Sequence, residues 1–199
     1  MNGTIDWHEI NRKGLHILGG LIFATLIYYD IAQAWMVLLL AGVGIILSMV
    51  YTVYDVPIAH FFLSKFERAH LLKKFPGKGV IYLFLGIVLM MLTFEKNIVL
   101  AAIMIWTFGD SLSAIVGKHY GKIKHPLNNA RLLEGTIAGI IAASIAAAFF
   151  VYWPFALIAS TITLGIESLE WKLYRETFDD NLFVPVIGAF VIYLLMIAF

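Results

Sequence analysis

The chain has 199 residues, of which 61% are hydrophobic and 14% charged, with a mean hydropathy of +0.89. Soluble domains average about 45–50% apolar and about 25% charged residues, so this is the composition of an integral membrane protein, and its length suits a single domain over residues 1–199. A net charge of +1 gives no reason to expect a nucleic-acid partner, and the lack of cysteine excludes disulfides, thiolate nucleophiles and Cys-ligated metals.

Seven apolar segments approach the ~20 residues that cross a bilayer. They run Leu15–Tyr29, Ala34–Val53, Gly79–Phe94, Ile98–Val116, Gly135–Tyr152, Pro154–Leu169 and Leu182–Phe199. The expected fold is all-α, a polytopic bundle of seven transmembrane helices. Arg12-Lys13, the first apolar run and Ala32-Gln33-Ala34 have the outline of a signal peptide. Asp6 and Glu9 ahead of the run, and a second span close behind it, favour a retained first span.

Lys and Arg fall on alternate connections. Arg12 and Lys13 precede span one; Lys65, Arg68, Lys73, Lys74 and Lys78 lie between spans two and three. Lys118, Lys122, Lys124 and Arg131 lie between spans four and five, and Lys172 and Arg175 between six and seven. Lys96 alone falls on the other side. This bias puts the N-terminus in the cytoplasm and the C-terminus outside. Ile58, Phe61, Phe62 and Phe66, mixed with the basic residues of the long connection, suggest an amphipathic helix in the cytoplasmic interface. Gly135, Gly139, Ala143 and Ala147 form a small-residue ridge on span five, a pattern for close helix packing. Pro154 stands at a helix start and Pro185 in the first turn of the last span, both tolerated positions.

The stretch Trp106–Lys122 stands out. A carboxylate within a span, Asp110, needs a partner. Helical spacing puts Asp110, Ala114, Gly117 and Gly121 on one face, pairing the acid with a bare strip that lets something approach the backbone. Lys118, Lys122 and Lys124 follow. The set suits an Mg-bound phosphorylated ligand; the plainer alternative is a packing face whose Asp is held by another helix.

With this topology the unusual polar groups collect on the cytoplasmic side. Arg12, Lys13 and His16 begin span one, and Lys78 and Gly79 begin span three. Asp110 lies near the end of span four. Glu134, Gly135 and Thr136 open span five, Glu167 and Glu170 close span six, and Asp179, Asp180 and Asn181 open span seven. A triphosphate needs cations and a divalent metal. Arg12, Lys13, Lys118 and Lys122 offer the first, and Asp110 and Asp180 offer oxygen ligands for Mg2+. Phosphoryl transfer depends mostly on positioning and charge neutralisation. Asp180 or His16 is the candidate base for an acceptor hydroxyl, on a lipid arriving sideways between helices. Plainer roles compete: topology anchors for Arg12 and Lys13, an interfacial polar group for His16, a helix-terminal charge for Glu134 and N-caps for Asp179 and Asp180. Gly117-Lys118 is followed by His119, so there is no P-loop, and neither a Gly-x-Ser-x-Gly nor a His-Glu-x-x-His motif occurs.

Arg12-Lys13-Gly-Leu-His16, Gly109-Asp110-Ser-Leu-Ser113-Ala-x-x-Gly117-x-x-x-Gly121, Glu134-Gly135-Thr136, and Glu167 followed by Asp179-Asp180-Asn181-Leu-x-x-Pro185 resemble the CTP-dependent lipid-alcohol kinases. That group takes in dolichol and polyprenol kinases, phytol and farnesol kinases and the CTP-dependent diacylglycerol kinase, within a superfamily shared with phosphatidate cytidylyltransferases. The resemblance spans Arg12 to Pro185. It implies CTP as donor, Mg2+ as cofactor and a membrane alcohol as acceptor, in a multi-pass protein of the cell membrane. Arg12 and Lys13 would act on the nucleotide phosphates and Asp110 would be the essential acid. The nucleotide would lie along Gly109, Ser113, Gly117, Lys118, Gly121, Lys122, Glu134, Gly135 and Thr136. Asp180, Asn181 and Glu167, or Glu170 in its place, would complete the metal or acceptor site. A cytidylyltransferase making a CDP-lipid is the alternative, disfavoured by the bare apolar C-terminal span. An ion-coupled transporter would put polar groups at mid-membrane and on both sides. A homo-oligomer is a further option.

Overall fold

The computed structural model describes residues 7–54, 75–126, 128–169 and 179–199. The expected interfacial helix between spans two and three, and Glu170, lie outside the described residues. Among the described residues are seven helices: α1 (Trp7–Tyr28), α2 (Ala34–Val53), α3 (Lys78–Thr93), α4 (Lys96–Tyr120), α5 (Leu133–Ala147), α6 (Trp153–Glu167) and α7 (Asp180–Ala198). Each overlaps one of the apolar segments. Two short strands, β1 (Lys124–His125) and β2 (Asn128–Leu132), form an antiparallel hairpin between α4 and α5. The all-α expectation missed this hairpin, because strands of two and five residues are too short to show an apolar period.

The helix ends also differ from the apolar runs. α1 starts well before Leu15, so Glu9, Arg12 and Lys13 belong to its first turns. Within α1 the Arg12 guanidinium bonds Glu9 at 2.6 Å, an i,i+3 pair that supports the polar start. α7 starts at Asp180, which places Pro185 inside the helix rather than in its first turn. The missing Pro185 N–H leaves the Asn181 carbonyl without its usual helical donor. The α3 backbone comes close at this point: a Cβ on Gly86 would sit 3.5 Å from the Asn181 carbonyl oxygen. Asp179 caps α7 by accepting from the Asn181 N–H at 3.1 Å.

α2, α4 and α7 are long and apolar enough to cross a membrane by length and composition. α3, α5 and α6 have 16, 15 and 15 residues, and 15 residues of helix rise only about 22 Å against an apolar core of about 30 Å. Leu38, Leu39, Leu40, Ile46, Leu47 and Met49 of α2 all point outward. Water would penalise such a surface; hydrocarbon does not. The protein is a membrane protein.

α4 is the core. Every residue from Ile98 to Thr107 is buried, and α1, α5 and α7 pack around it. α6 closes the bundle against α5 and α7, while α2 leans on α3 at the lipid edge. The small-residue ridge of α5 does what its spacing predicts: Gly135, Gly139, Ala143 and Ala147 are all buried.

The end of the bundle where α4 begins is plain. Lys96 bonds the Asp30 carboxylate at 2.7 Å and the Tyr28 carbonyl at 3.2 Å. Both charged side chains are well exposed, so the pair adds little. Lys96→Ala should change thermal stability in detergent by less than about 1 kcal/mol.

Candidate active site

The opposite end carries the charge. There the start of α1, the end of α4, the hairpin, the end of α6 and the start of α7 meet. Asp110, in the second half of α4, is the centre of the first cluster. Lys13 of α1 donates to its Oδ2 at 2.5 Å, and His16 Nε2 lies 3.6 Å from the same oxygen. Lys13 is only 4% exposed, which a lysine tolerates only with its charge matched. The His16 ring lies against Trp106 with centroids 3.7 Å apart, which fixes the imidazole one turn above the acid. The expectation that an intramembrane acid needs a partner is met by Lys13.

Arg131 of β2 centres the second cluster. Its guanidinium bonds Glu167 Oε1 of α6 at 2.6 Å. Burial works against its charge, but Glu167 first, then Asp110 and Asp180, outweigh that and raise its already high pKa. Three acids that the sequence puts on different helices therefore act on the same cation. The other oxygen of Glu167, Oε2, is buried with no hydrogen-bond partner among the described residues. Asp180 is exposed at the rim. Sequence reasoning passed over Arg131, counting it only as a topology charge. Its one signal was its place just ahead of Glu134-Gly135-Thr136.

The remaining candidates fall elsewhere. Ser113 and Gly117 face α5, and Gly109 lies between α5 and Leu164 of α6: a Cβ on Gly135 would be 2.4 Å from the Ser113 carbonyl oxygen and 2.7 Å from Gly117 Cα. A Cβ on Gly139 would be 2.7 Å from the Gly109 carbonyl oxygen. The bare strip is thus a helix seam, and the close approach it permits is that of α5. Asp110 does not share this face. It lies about 100° round the helix from Gly109 and meets α1 instead. Gly121 makes room for Leu132, whose Cβ would be 2.6 Å from a Cβ there. The Glu134 carboxylate accepts from the backbone N–H groups of Lys122 and Ile123 at 3.0 and 3.1 Å. Its own N–H and these two donors hold its pKa below the usual carboxylate range. Thr136 and Ser168 pair their hydroxyls at 3.5 Å inside the bundle. Asn181 turns its amide to Asp179 at 2.7 Å and lies over Gly79, whose added Cβ would be 2.8 Å from the Asn181 Nδ2. Lys78 reaches Asp179 at 3.7 Å. Lys118 and Lys122 are exposed at the end of α4.

Among the described residues no three His, Asp or Glu side chains converge to cage a metal ion. The carboxylates suit a different arrangement. Mg2+ keeps one or two protein carboxylates and takes its other ligands from phosphate and water, and the unpartnered Glu167 Oε2 is a buried oxygen of that kind.

The chain is 30% identical over 186 residues to the uncharacterized protein MJ1137 of Methanocaldococcus jannaschii, covering 92% of each. It belongs to the same family as that archaeal protein. It is also 24% identical over 218 residues to the CTP-dependent diacylglycerol kinase 1 of Schizosaccharomyces pombe, covering 95% of this chain and 94% of the yeast protein. The uncharacterized protein RP860 of Rickettsia prowazekii is 25% identical over 188 residues. No family model matches the chain, and no solved structure matches it significantly. All three alignments run nearly the full length of the chain.

Proposed function

We propose that this protein is a CTP-dependent kinase that phosphorylates the hydroxyl of a membrane lipid alcohol. The similarity to the yeast CTP-dependent diacylglycerol kinase over 95% of the chain carries the reading. The chemistry of the charged end supports it. A triphosphate brings several negative charges, and this end offers Arg131 and, on exposed turns, Lys118 and Lys122. Lys13 serves indirectly, by holding the Asp110 carboxylate in place. One or two of Asp110, Asp180, Asn181 and Glu167 would give oxygen ligands to Mg2+, which when bound neutralises phosphate charge. Asp180, exposed at the rim, is better placed as base than His16, which is packed against Trp106.

In the transfer, the acceptor oxygen attacks the γ-phosphorus as the bond from that phosphorus to the β-bridging oxygen breaks. The hydroxyl proton goes to Asp180, and CDP and a lipid phosphate leave. Seven membrane crossings, with the charged end on the cytoplasmic side, agree with the distribution of Lys and Arg. The acceptor is a diacylglycerol, a polyprenol or dolichol, or a phytol-type alcohol. Diacylglycerol is the first to test because the similar yeast protein is named for it.

The test is purified protein in liposomes with CTP labelled at the γ- or the α-phosphate and a panel of these alcohols. Label from the γ-position should reach the lipid, and label from the α-position should not. The reverse pattern would make the protein a cytidylyltransferase. No transfer from either position, with solute flux in the absence of nucleotide, would make it a transporter.

A further inference from the structure

We propose that Glu134 is a positioning residue that clasps the base of the hairpin and so delivers Arg131 to the acids at the end of the bundle. The sequence reading had set Glu134 beside the nucleotide. The structure gives its carboxylate different work. Helix α5 has no side-chain cap at Leu132, and Glu134, in its first turn, turns back across the connection instead. Its Oε1 accepts from both the Lys122 and Ile123 N–H groups, and its Oε2 adds a bond from Ile123 at 3.2 Å. Two successive backbone N–H groups aimed at one point form an anion nest of the kind that binds phosphates. Here the anion is the protein's own carboxylate.

The same joint is closed a second way. The Leu133 N–H donates to the Ile123 carbonyl at 2.9 Å, so both polar groups of Ile123 are tied to the start of α5. Gly121 leaves the room that Leu132 occupies, and Lys124 pairs with Leu132 in the ladder. The two ends of the hairpin are thereby sewn together directly behind Arg131. A guanidinium that must reach Glu167 at 2.6 Å depends on where β2 leaves this joint.

The effect on turnover rests on the kinase reading; the clasp itself does not. Two carboxyl substitutions separate a clasp from a ligand. Oε1 alone accepts two of the three bonds, so the amide oxygen of Glu134→Gln can replace it, whereas Glu134→Ala cannot. Glu134→Ala should lower kcat/KM for CTP about 100-fold, as a misplaced side chain does, while Glu134→Gln stays close to wild type. Combined with Arg131→Ala, the alanine variant should cause no further loss, because both act through one group. The chain has no cysteine of its own, so a spin label on Lys124→Cys reports the hairpin without any assay of activity. Glu134→Ala should make that label more mobile, and Glu134→Gln should not. Loss of activity in both carboxyl variants with the label unmoved would mean that Glu134 touches the ligand, and would overturn the proposal. So would a Glu134→Ala protein with normal turnover and a normal label. If wild-type protein transfers nothing from CTP, the kinase reading fails, and the spin label still decides the clasp.

Discussion

Asp110→Asn should abolish lipid phosphorylation, by about 100- to 1,000-fold or more, and should also weaken the fold. The second effect follows from Lys13. Lys13 is 4% exposed, and its match is the Asp110 carboxylate at 2.5 Å. Removing the partly exposed carboxylate strands the buried Lys13 charge and costs about 3 kcal/mol, the low end for such a pair. Loss of activity in the single variant is therefore open to the objection that the protein has come apart. The double variant Lys13→Met, Asp110→Asn answers it. An apolar side chain of similar length removes the stranded charge, so thermal stability should return toward wild type while activity stays absent. If the double variant regains transfer, Asp110 has no part in the chemistry. If the single variant is as stable as wild type, the ion pair is not the buried unit described above.

Gly135→Ala should be the most destabilising small substitution in the protein, by about 3 kcal/mol, the upper range for overpacking. The new methyl would meet the backbone of α4 at three atoms, the Ser113 oxygen at 2.4 Å and Gly117 Cα and N at 2.7 and 2.9 Å. Backbone cannot rotate out of the way as the tip of a side chain can, so α5 must shift bodily. Gly165→Ala is the control. Nothing lies within 4 Å of a Cβ there, and the change should be worth less than about 1 kcal/mol. Both are read as midpoint temperatures in detergent. If Gly135 serves instead to admit a nucleotide, the alanine variant will keep its stability and lose only affinity for CTP.

The helices were legible because apolar runs of membrane length carry their own signal, and all seven runs coincide with helices. What they do not carry is where polar residues continue a helix. Glu9 and Arg12 pair at i,i+3 and let α1 begin far ahead of its apolar stretch. The acids and bases of the site could be set on one end of the bundle from the topology alone. Their pairing could not. Lys13 and Asp110 are 97 positions apart, and spacing along a chain says nothing about such a bond. The glycine strip shows a different limit. Asp110-Ala114-Gly117-Gly121 and Gly109-Ser113-Gly117 are both acceptable helical stripes. Only the neighbouring helix decides which one is the seam, and α5 chose the second. Arg131 was invisible for a related reason: in a loop an arginine reads as a topology charge until the loop is found to be a hairpin aimed at Glu167.

The hairpin springs from the two helices whose backbones lie nearest each other, and each of its ends is bound at the joint. It cannot swing without breaking the bonds that tie Lys122 and Ile123 to the start of α5. On the kinase reading, a bulky hydrocarbon tail would therefore enter beside this joint and not through it.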